Sequence, residues 1–269
     1  MKQSFFEVTG CDILGLFINR VHNTPDDVVI FSNDISITYK EAWRMVNHYA
    51  AEIEKKTCNK HTRVLLYLNH SYKIIISILA VLKTGNSYVP VSKSNGTERL
   101  FQISRYCNSD IVITDEKLVT EKKLIQFDDL VHYVDTDDFT YHRYSSGEEV
   151  YVLFTSGSTG EPKGCSLVYS NLVYILRNMI TIGSCQSDSV YCFSTPYTFD
   201  VSTTEIFGFV YGASIYVCDI SGYTSFRRFP ADIQKYHITH IALSPSGLRN
   251  MLQAYSQEQW AQINSTVEC

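Results

Sequence analysis

The chain has 269 residues, of which 45% are hydrophobic and 19% charged, and its formal net charge is −5. This composition belongs to a folded protein with one large core or two smaller ones, and it excludes a disordered or fibrous chain. The acidic balance gives no electrostatic case for nucleic acid or an anionic membrane as partner.

Along the chain, helical and strand patterns alternate. The start, from Met1 to Glu7, lacks the uninterrupted apolar region of a signal peptide. Ile13, Leu14, Phe17 and Val21 mark a first helix stripe. Residues 28–31 read as a strand, followed by an Asn33-Asp34 turn and a second strand at 35–37. Thr38 stands three residues before Glu41, a capping box ahead of a helix with Ala42, Val46, Ala50 and Ile53 on its apolar face. A strand at 64–68 precedes a helix over 72–84, which Gly85 can close as its C′ residue. The apolar run inside that helix, 74–82, is interrupted by Ser77 and falls far short of the ~20 residues that span a bilayer.

Further strands are expected at 111–114, 150–154, 190–193, 213–217 and 239–243, with helices at 171–182 and 225–236. This rhythm predicts an α/β protein of mostly parallel sheets flanked by helices. The aspartate-rich stretch 127–147 reads as a solvated connector, since a calcium loop needs other spacing and a terminal Glu. It sets an internal boundary between a first α/β subdomain, 1–145, and a second, 146–269.

The eight cysteines include no Cys-x-x-Cys pair and sit mostly in apolar runs, as buried free thiols of a reducing cytoplasm do. His237 and His240 flank the start of the last expected strand without a third ligand, and read as structural residues.

The most informative stretch runs from Tyr151 to Gly164: an apolar strand that enters a loop of three glycines, four hydroxyls and one lysine. Gly157, Gly160 and Gly164 let the backbone come close to a ligand. Thr155, Ser156, Ser158 and Thr159 can donate to oxyanions, and Lys163 adds a point charge with three donors. Such a loop suits a polyphosphate. A flexible Gly/Ser linker is the bland alternative, but linkers seldom follow an apolar strand directly or need a Pro-Lys-Gly ending. Walker A and dinucleotide fingerprints are both excluded by the spacing.

The loop resembles the phosphate-binding signature Thr-Ser-Gly-Ser/Thr-Thr-Gly-x-Pro-Lys-Gly of the AMP-forming adenylate-forming enzymes. That superfamily includes acyl-CoA synthetases, luciferases and the adenylation domains of nonribosomal peptide synthetases. Residues 82–91 are similar to its early core motif, although the usual Asp-Pro is replaced by Ser92-Lys93-Ser94-Asn95. Arg99 falls where a helix arginine is expected, Asn171-Leu172 matches a helix start, and Tyr169 replaces a frequent histidine. The segment from Phe199 to Glu205 looks like the Phe-Asp-x-Ser-x-x-Glu motif of amino-acid-activating members, and residues 238–246 resemble the strand and turn that follow it.

The resemblance implies the incomplete N-terminal domain of an adenylation enzyme. ATP and Mg²⁺ would be its cofactors, an amino acid its substrate, and a carrier-protein thiol the acceptor. Thr155, with Lys163, would be catalytic, and Ser156, Gly157, Ser158, Thr159, Gly160 and Gly164 would complete the nucleotide cradle. Asp200, wedged between Phe199 and Val201, needs its charge paired if it is buried. By residue type it could equally be the N-cap of the next helix. The family position makes it the partner of the substrate ammonium, with Val201, Thr204 and Ala242 lining the side-chain pocket.

The family's adenine- and Mg²⁺-binding segment, its ribose-binding segment and its mobile C-terminal domain with the catalytic lysine do not occur among these residues. The chain is therefore expected to be the N-terminal part of such an enzyme, truncated or encoded separately, and inactive alone, with a carrier protein and/or a chain that supplies the missing part as partners. Two alternatives stand beside this: a non-catalytic assembly module derived from the fold, and a fragment of an acyl- or aryl-CoA ligase. The metal ligands and the identity of the amino acid are not legible.

Overall fold

A computed structural model describes residues 12–32, 34–57, 61–128, 133, 138–156, 162–182, 188–218 and 223–268. The chain forms two compact units, one of segments up to Asp26 and from Tyr39 to Tyr174, the other of Asp27 to Thr38 and the residues from Ile175 onward.

The first unit is built on six strands: β3 (Arg63–Tyr67), β4 (Ser87–Pro90), β5 (Ile111–Thr114), β6 (Lys123–Gln126), β7 (Glu149–Ser156) and β8 (Pro162–Val168). Their order is β6-β5-β3-β4-β7-β8, all neighbours parallel except the β7/β8 hairpin. Helices α1 (Ile13–Asn23), α2 (Tyr39–Lys56), α3 (Tyr72–Lys83) and α4 (Gly96–Cys107) belong to the same unit.

α3 is buried at every position from Ile74 to Lys83, as an all-round apolar helix must be. Its end follows the sequence: Gly85 sits at φ +76°, its N–H donates to Leu82 and that of Asn86 to Val81, a Schellman closure. On α4, Leu100, Ile103 and Cys107 pack on Leu65, Val89, Val112 and Val152 of the sheet.

The second unit carries β1 (Val28–Phe31), β2 (Ser36–Thr38), β9 (Val190–Phe193), β10 (Ser214–Val217) and β11 (His240–Ile241), in the order β11-β9-β10-β1-β2. Again every pairing is parallel except the edge hairpin, here β1/β2. The short helix α6 (Ser202–Ile206) follows β9, and α7 (Tyr223–Lys235), α8 (Pro245–Ala254) and α9 (Gln257–Asn264) follow β10 and β11. Phe229, Ile233, Met251, Tyr255 and Ile263 join Cys192 and Tyr216 in one core. α5 (Tyr169–Ile182) is the helix in which the two units divide.

The expected fold class therefore holds, but the compact units do not part at 145/146. Strand β7 ladders onto β4 at Tyr88↔Tyr151 and onto β8 along its length, which ties the candidate loop strand to the first sheet. The β1/β2 hairpin ladders onto β10 and so belongs with the later residues.

The acidic connector is also less solvated than expected. Asp138 binds the ammonium of Lys83, which is buried and also donates to the Thr140 carbonyl, and Trp43 stacks on Phe139. Burial would raise the Asp138 carboxyl, but hydrogen bonds from Thr140 and Lys83 outweigh it and hold it down to about 2. Asp129, Asp135 and Asp137 lie outside the described residues.

Of the cysteines, Cys107, Cys192 and Cys218 are buried and free as expected, whereas Cys165 is exposed because β8 is an edge strand. Cys11, Cys58, Cys185 and Cys269 lie outside the described residues.

Candidate functional site

The described residues on either side of the candidate phosphate loop belong to the paired strands β7 and β8. Strand β7 is held firmly on its way there. At its start the Glu149 carboxylate accepts from Arg63 Nε (2.8 Å) and Nη2 (2.7 Å), from Ser87 (2.8 Å) and from Ser166 (2.5 Å), so one side chain braces β3, β4, β7 and β8. In its middle, the Tyr151 ring stacks on Tyr88 with centroids 5.2 Å apart, and Val150 to Leu153 are buried. Burial falls off towards its end, where Phe154 is half-buried and Thr155 is exposed.

The register pairs Phe154 with Gly164, Thr155 with Lys163 and Ser156 with Pro162. Thr155 and Lys163, predicted as a functional pair from sequence, thus face each other across the hairpin. The Lys163 ammonium is exposed and has no ion-pair partner among the described residues. Gly164 is needed for packing as well: a Cβ there would lie 2.9 Å from the Phe154 ring, which covers the glycine across the ladder. Gly157, Ser158, Thr159 and Gly160 lie outside the described residues, as does Glu161.

Strand β8 was not expected. Its burial pattern is exposed over Lys163 to Ser166, with no alternation, and it contains Pro162 and Gly164. Proline is tolerated because it stands first on an edge strand, where no ladder N–H is lost to the core. Tyr169, at the position of a frequent family histidine, is structural here: its hydroxyl accepts the Ile13 N–H at 3.0 Å and its ring stacks on Tyr144. Lys93, in the segment that departs from the family pattern, donates to Asp115 (2.9 Å) and lies over the Tyr67 ring at 5.6 Å.

In the second unit, the chain leaves the carboxyl end of β9 and makes a tight turn into α6. Parallel α/β sheets bind ligands in the crevice at the carboxyl ends of their strands. Ala242 follows β11 directly and lies at the same end of the sheet, since His240 pairs with Tyr191 and Ile241 with Cys192.

Asp200 differs from the N-cap reading and from the burial that its apolar neighbours suggested. It is exposed, as are Phe199 and Val201, so the charge is not trapped between apolar neighbours. Nor does it cap the helix, whose N-cap is Val201; the Asp200 carboxylate accepts the Val201 N–H at 2.9 Å. The remaining acceptor positions face outward, with no cation beside them among the described residues. Thr204 is buried and its hydroxyl donates to the Val201 carbonyl (2.8 Å), which leaves it no free proton for a ligand.

The residue that sequence reasoning passed over is Glu205, which is only 1% exposed. Its carboxyl accepts the Thr195 N–H (3.1 Å) and hydroxyl (2.9 Å), and the Ser194 N–H. Burial raises its pKa to about 8 against these donors. A glutamate inside the apolar end of the motif was the available signal, since such a group must find polar partners. Among the described residues no group of three or more His, Cys, Asp or Glu could hold a metal ion, and no helix is long and apolar enough to cross a membrane.

Residues 17–268 match the family described as AMP-binding enzyme. Gramicidin S synthase 2 of Brevibacillus brevis is 26% identical over 264 residues, covering 95% of this chain and 6% of that protein. The N-terminal subdomain of Klebsiella oxytoca NpsA, solved with 3-hydroxybenzoyl-AMSN, superposes with a TM-score of 0.80 at 20% identity, over 93% of this chain and 64% of that one. Holo-AB3403, a four-domain nonribosomal peptide synthetase bound to AMP and glycine, gives 0.79 at 17% identity, over 96% of this chain and 21% of that one. The chain thus spans a small part of the curated relative and about two thirds of a subdomain of the family fold.

Proposed function

The chain belongs to the family of AMP-binding enzymes, and on that premise we propose that it is the phosphate- and amine-binding segment of an amino-acid adenylating enzyme. In the proposed reaction a carboxylate oxygen of the amino acid forms a bond to the α-phosphorus of ATP. The bond from that phosphorus to the bridging oxygen breaks, giving aminoacyl-AMP and pyrophosphate. The acyl group then passes to a carrier-protein thiol. Phosphoryl and nucleotidyl transfers ask the protein for alignment and charge neutralisation more than for covalent chemistry.

The observation that carries the reading is the hairpin. Near the end of a braced strand, Thr155 stands opposite an exposed Lys163 that has no ion-pair partner among the described residues, and the sequence between them is rich in glycines and hydroxyls. In this reading Thr155 and Ser156 orient the polyphosphate, while Ser158, Thr159, the amides of Gly157 and Gly160, and Lys163 hold the departing pyrophosphate. Mg²⁺ would come coordinated to the phosphate oxygens, as is usual for a hard cation that keeps few protein ligands.

Asp200 takes the substrate ammonium, and Val201, Thr204 and Ala242 line the side-chain pocket. An exposed aspartate–ammonium pair in water is worth about 1 kcal/mol or less. Asp200 becomes a strong anchor only when substrate and further polypeptide dry the site. The family segments for adenine and ribose are not among these residues, so the proposal is for this chain acting together with polypeptide that supplies them.

The test is amino-acid-dependent ATP–pyrophosphate exchange by this chain together with polypeptide that carries the adenine and ribose segments, with Asp200→Ala beside the wild type. The variant should lose about 10²-fold in kcat/KM for the amino acid. An unchanged value sinks the amine assignment. Turnover of an aryl or fatty acid lacking an amine, with none of any amino acid, would point to a CoA-ligase fragment instead.

A further inference from the structure

The turn from Ser194 to Thr204 presents Phe199, Asp200 and Val201 as three successive exposed residues, and its backbone is bonded with unusual completeness. The Phe199 carbonyl accepts both the N–H (3.2 Å) and the hydroxyl (2.6 Å) of Ser202. The Asp200 carbonyl accepts the N–H (3.0 Å) and hydroxyl (2.6 Å) of Thr203. The Val201 carbonyl accepts the N–H (3.1 Å) and hydroxyl (2.8 Å) of Thr204. Three hydroxyl residues in a row therefore tie the main chain under the exposed tip to α6.

α6 itself has five residues, far too few to be stable alone. What holds it to the end of β9 by polar contacts is Glu205. The carboxyl grips the Thr195 N–H and hydroxyl and the Ser194 N–H, ten and eleven residues earlier in the chain. The two ends of the turn are closed on each other by that one side chain, with no cation involved among the described residues. Among the described residues Asp200 makes one side-chain bond of its own, to the next residue, so its location depends on the frame below it.

We propose that Glu205 is a positioning residue for amino-acid binding: by clamping Ser194 and Thr195 to α6 it fixes the turn that presents Asp200. This rests on the reading of Asp200 as the amine anchor. The clamp is suited to that task because burial pushes its carboxyl up to about 8, towards the neutral form. Asp200 is then left as the charged acceptor of the turn, and no second carboxylate draws the ammonium away. Neutrality also makes glutamine a close substitute. Its carbonyl oxygen can accept the two N–H groups, and its amide can donate to the Thr195 hydroxyl oxygen.

The experiment compares Asp200→Ala, Glu205→Ala, Glu205→Gln and Thr195→Val, each together with the polypeptide that carries the adenine and ribose segments, by amino-acid-dependent pyrophosphate exchange, after circular dichroism shows which variants fold. Glu205→Ala should raise KM for the amino acid about tenfold and leave KM for ATP within about twofold, since the displaced group meets only one substrate. Glu205→Gln should recover most of that loss. Thr195→Val, which removes one bond of the clamp and keeps the backbone donors, should raise the amino-acid KM about threefold, and it decides the matter if Glu205→Ala does not fold.

A folded Glu205→Ala with unchanged amino-acid KM overturns the proposal, as does an equal rise in both KM values, which is what a merely structural role gives. If Asp200→Ala raises the amino-acid KM while Glu205→Ala and Thr195→Val are silent, the clamp fails and the anchor stands. If Asp200→Ala is itself silent, the anchor reading fails and takes the clamp with it.

Discussion

Glu149 and Glu205 are each held by three or more hydrogen-bond donors, yet they end in opposite charge states. Glu149, in the first unit, is 24% exposed and receives both arms of a guanidinium besides two serine hydroxyls. Burial alone would raise its carboxyl, but the bonds from Arg63, Ser166 and Ser87 outweigh it and pull it down to about 2. Glu205, in the second unit, is almost fully enclosed and receives only amide and hydroxyl donors. There burial wins and the carboxyl rises to about 8. Donors favour the ionised form at both sites; at Glu205 deep burial outweighs the amides and hydroxyl, whereas at the less buried Glu149 the guanidinium and two hydroxyls outweigh burial. The first glutamate is thus an ionic brace under the loop strand, the second a neutral clamp under the turn.

The sharpest test of that contrast is a pair of isosteric substitutions. Glu149→Gln removes the charge that Arg63 needs and should cost about 1–3 kcal/mol, between the values of exposed and buried ion pairs. Glu205→Gln replaces an acid that burial already pushes towards its neutral form and should cost less than about 1 kcal/mol. Urea midpoints measure both, and equal costs would break the comparison.

pH should separate the two further. For Glu205 the folded pKa lies above the ordinary 4.5, so its contribution to stability is complete below pH 4.5 and is lost as pH rises through about 8. For Glu149 the folded pKa lies below 4.5, so its contribution is complete above that value and is lost as pH falls towards about 2. Relative to wild type, Glu205→Gln should therefore gain stability as pH rises from about 4.5 to about 8, by at most about 1.4 kcal/mol per pH unit. The penalty of Glu149→Gln should instead shrink in acid. A wild-type urea midpoint flat from pH 5 to 8 alongside a flat Glu205→Gln would contradict the neutral clamp.

Smaller effects belong to the hairpin. Gly164→Ala pushes a Cβ to 2.9 Å from the Phe154 ring; the ring can swing outward, so the cost should be about 1 kcal/mol in thermal or urea unfolding. Lys163→Ala removes an exposed side chain and should change stability by no more than about 0.5 kcal/mol. Together with polypeptide that carries the adenine and ribose segments, the variant should nevertheless bind ATP about tenfold more weakly, because a point charge on the phosphates is lost. Calorimetric titration reads that difference directly.

How far these features were legible depends on how local their cause is. Helix α3 could be read because its own residues are apolar all round and Gly85 ends it. The family could be read because glycines, hydroxyls and a lysine at that fixed spacing have few other uses, and residues 17–268 do match it. Strand β8 could not, because an exposed edge strand carrying Pro162 and Gly164 has no alternation to detect. The break expected at 145/146 failed to match the compact units for a related reason: pairing between β7 and β4 links residues more than sixty positions apart, and no local composition records it. At Asp200 the flanking Phe199 and Val201 suggested burial, whereas the tip of a tight turn exposes all three. Glu205 stood within the quoted motif, but its partners lie ten and eleven residues upstream, through a turn the sequence does not announce.

The central claim is that the loop between β7 and β8 receives the triphosphate of ATP. Hydrogen–deuterium exchange on this chain together with polypeptide that carries the adenine and ribose segments, with and without Mg·ATP, tests it most directly. The account predicts new protection at the amides between Thr155 and Gly164, with the Glu205-clamped turn responding instead to the amino acid. Protection by ATP elsewhere, with the amides of that loop exchanging as before, would contradict it.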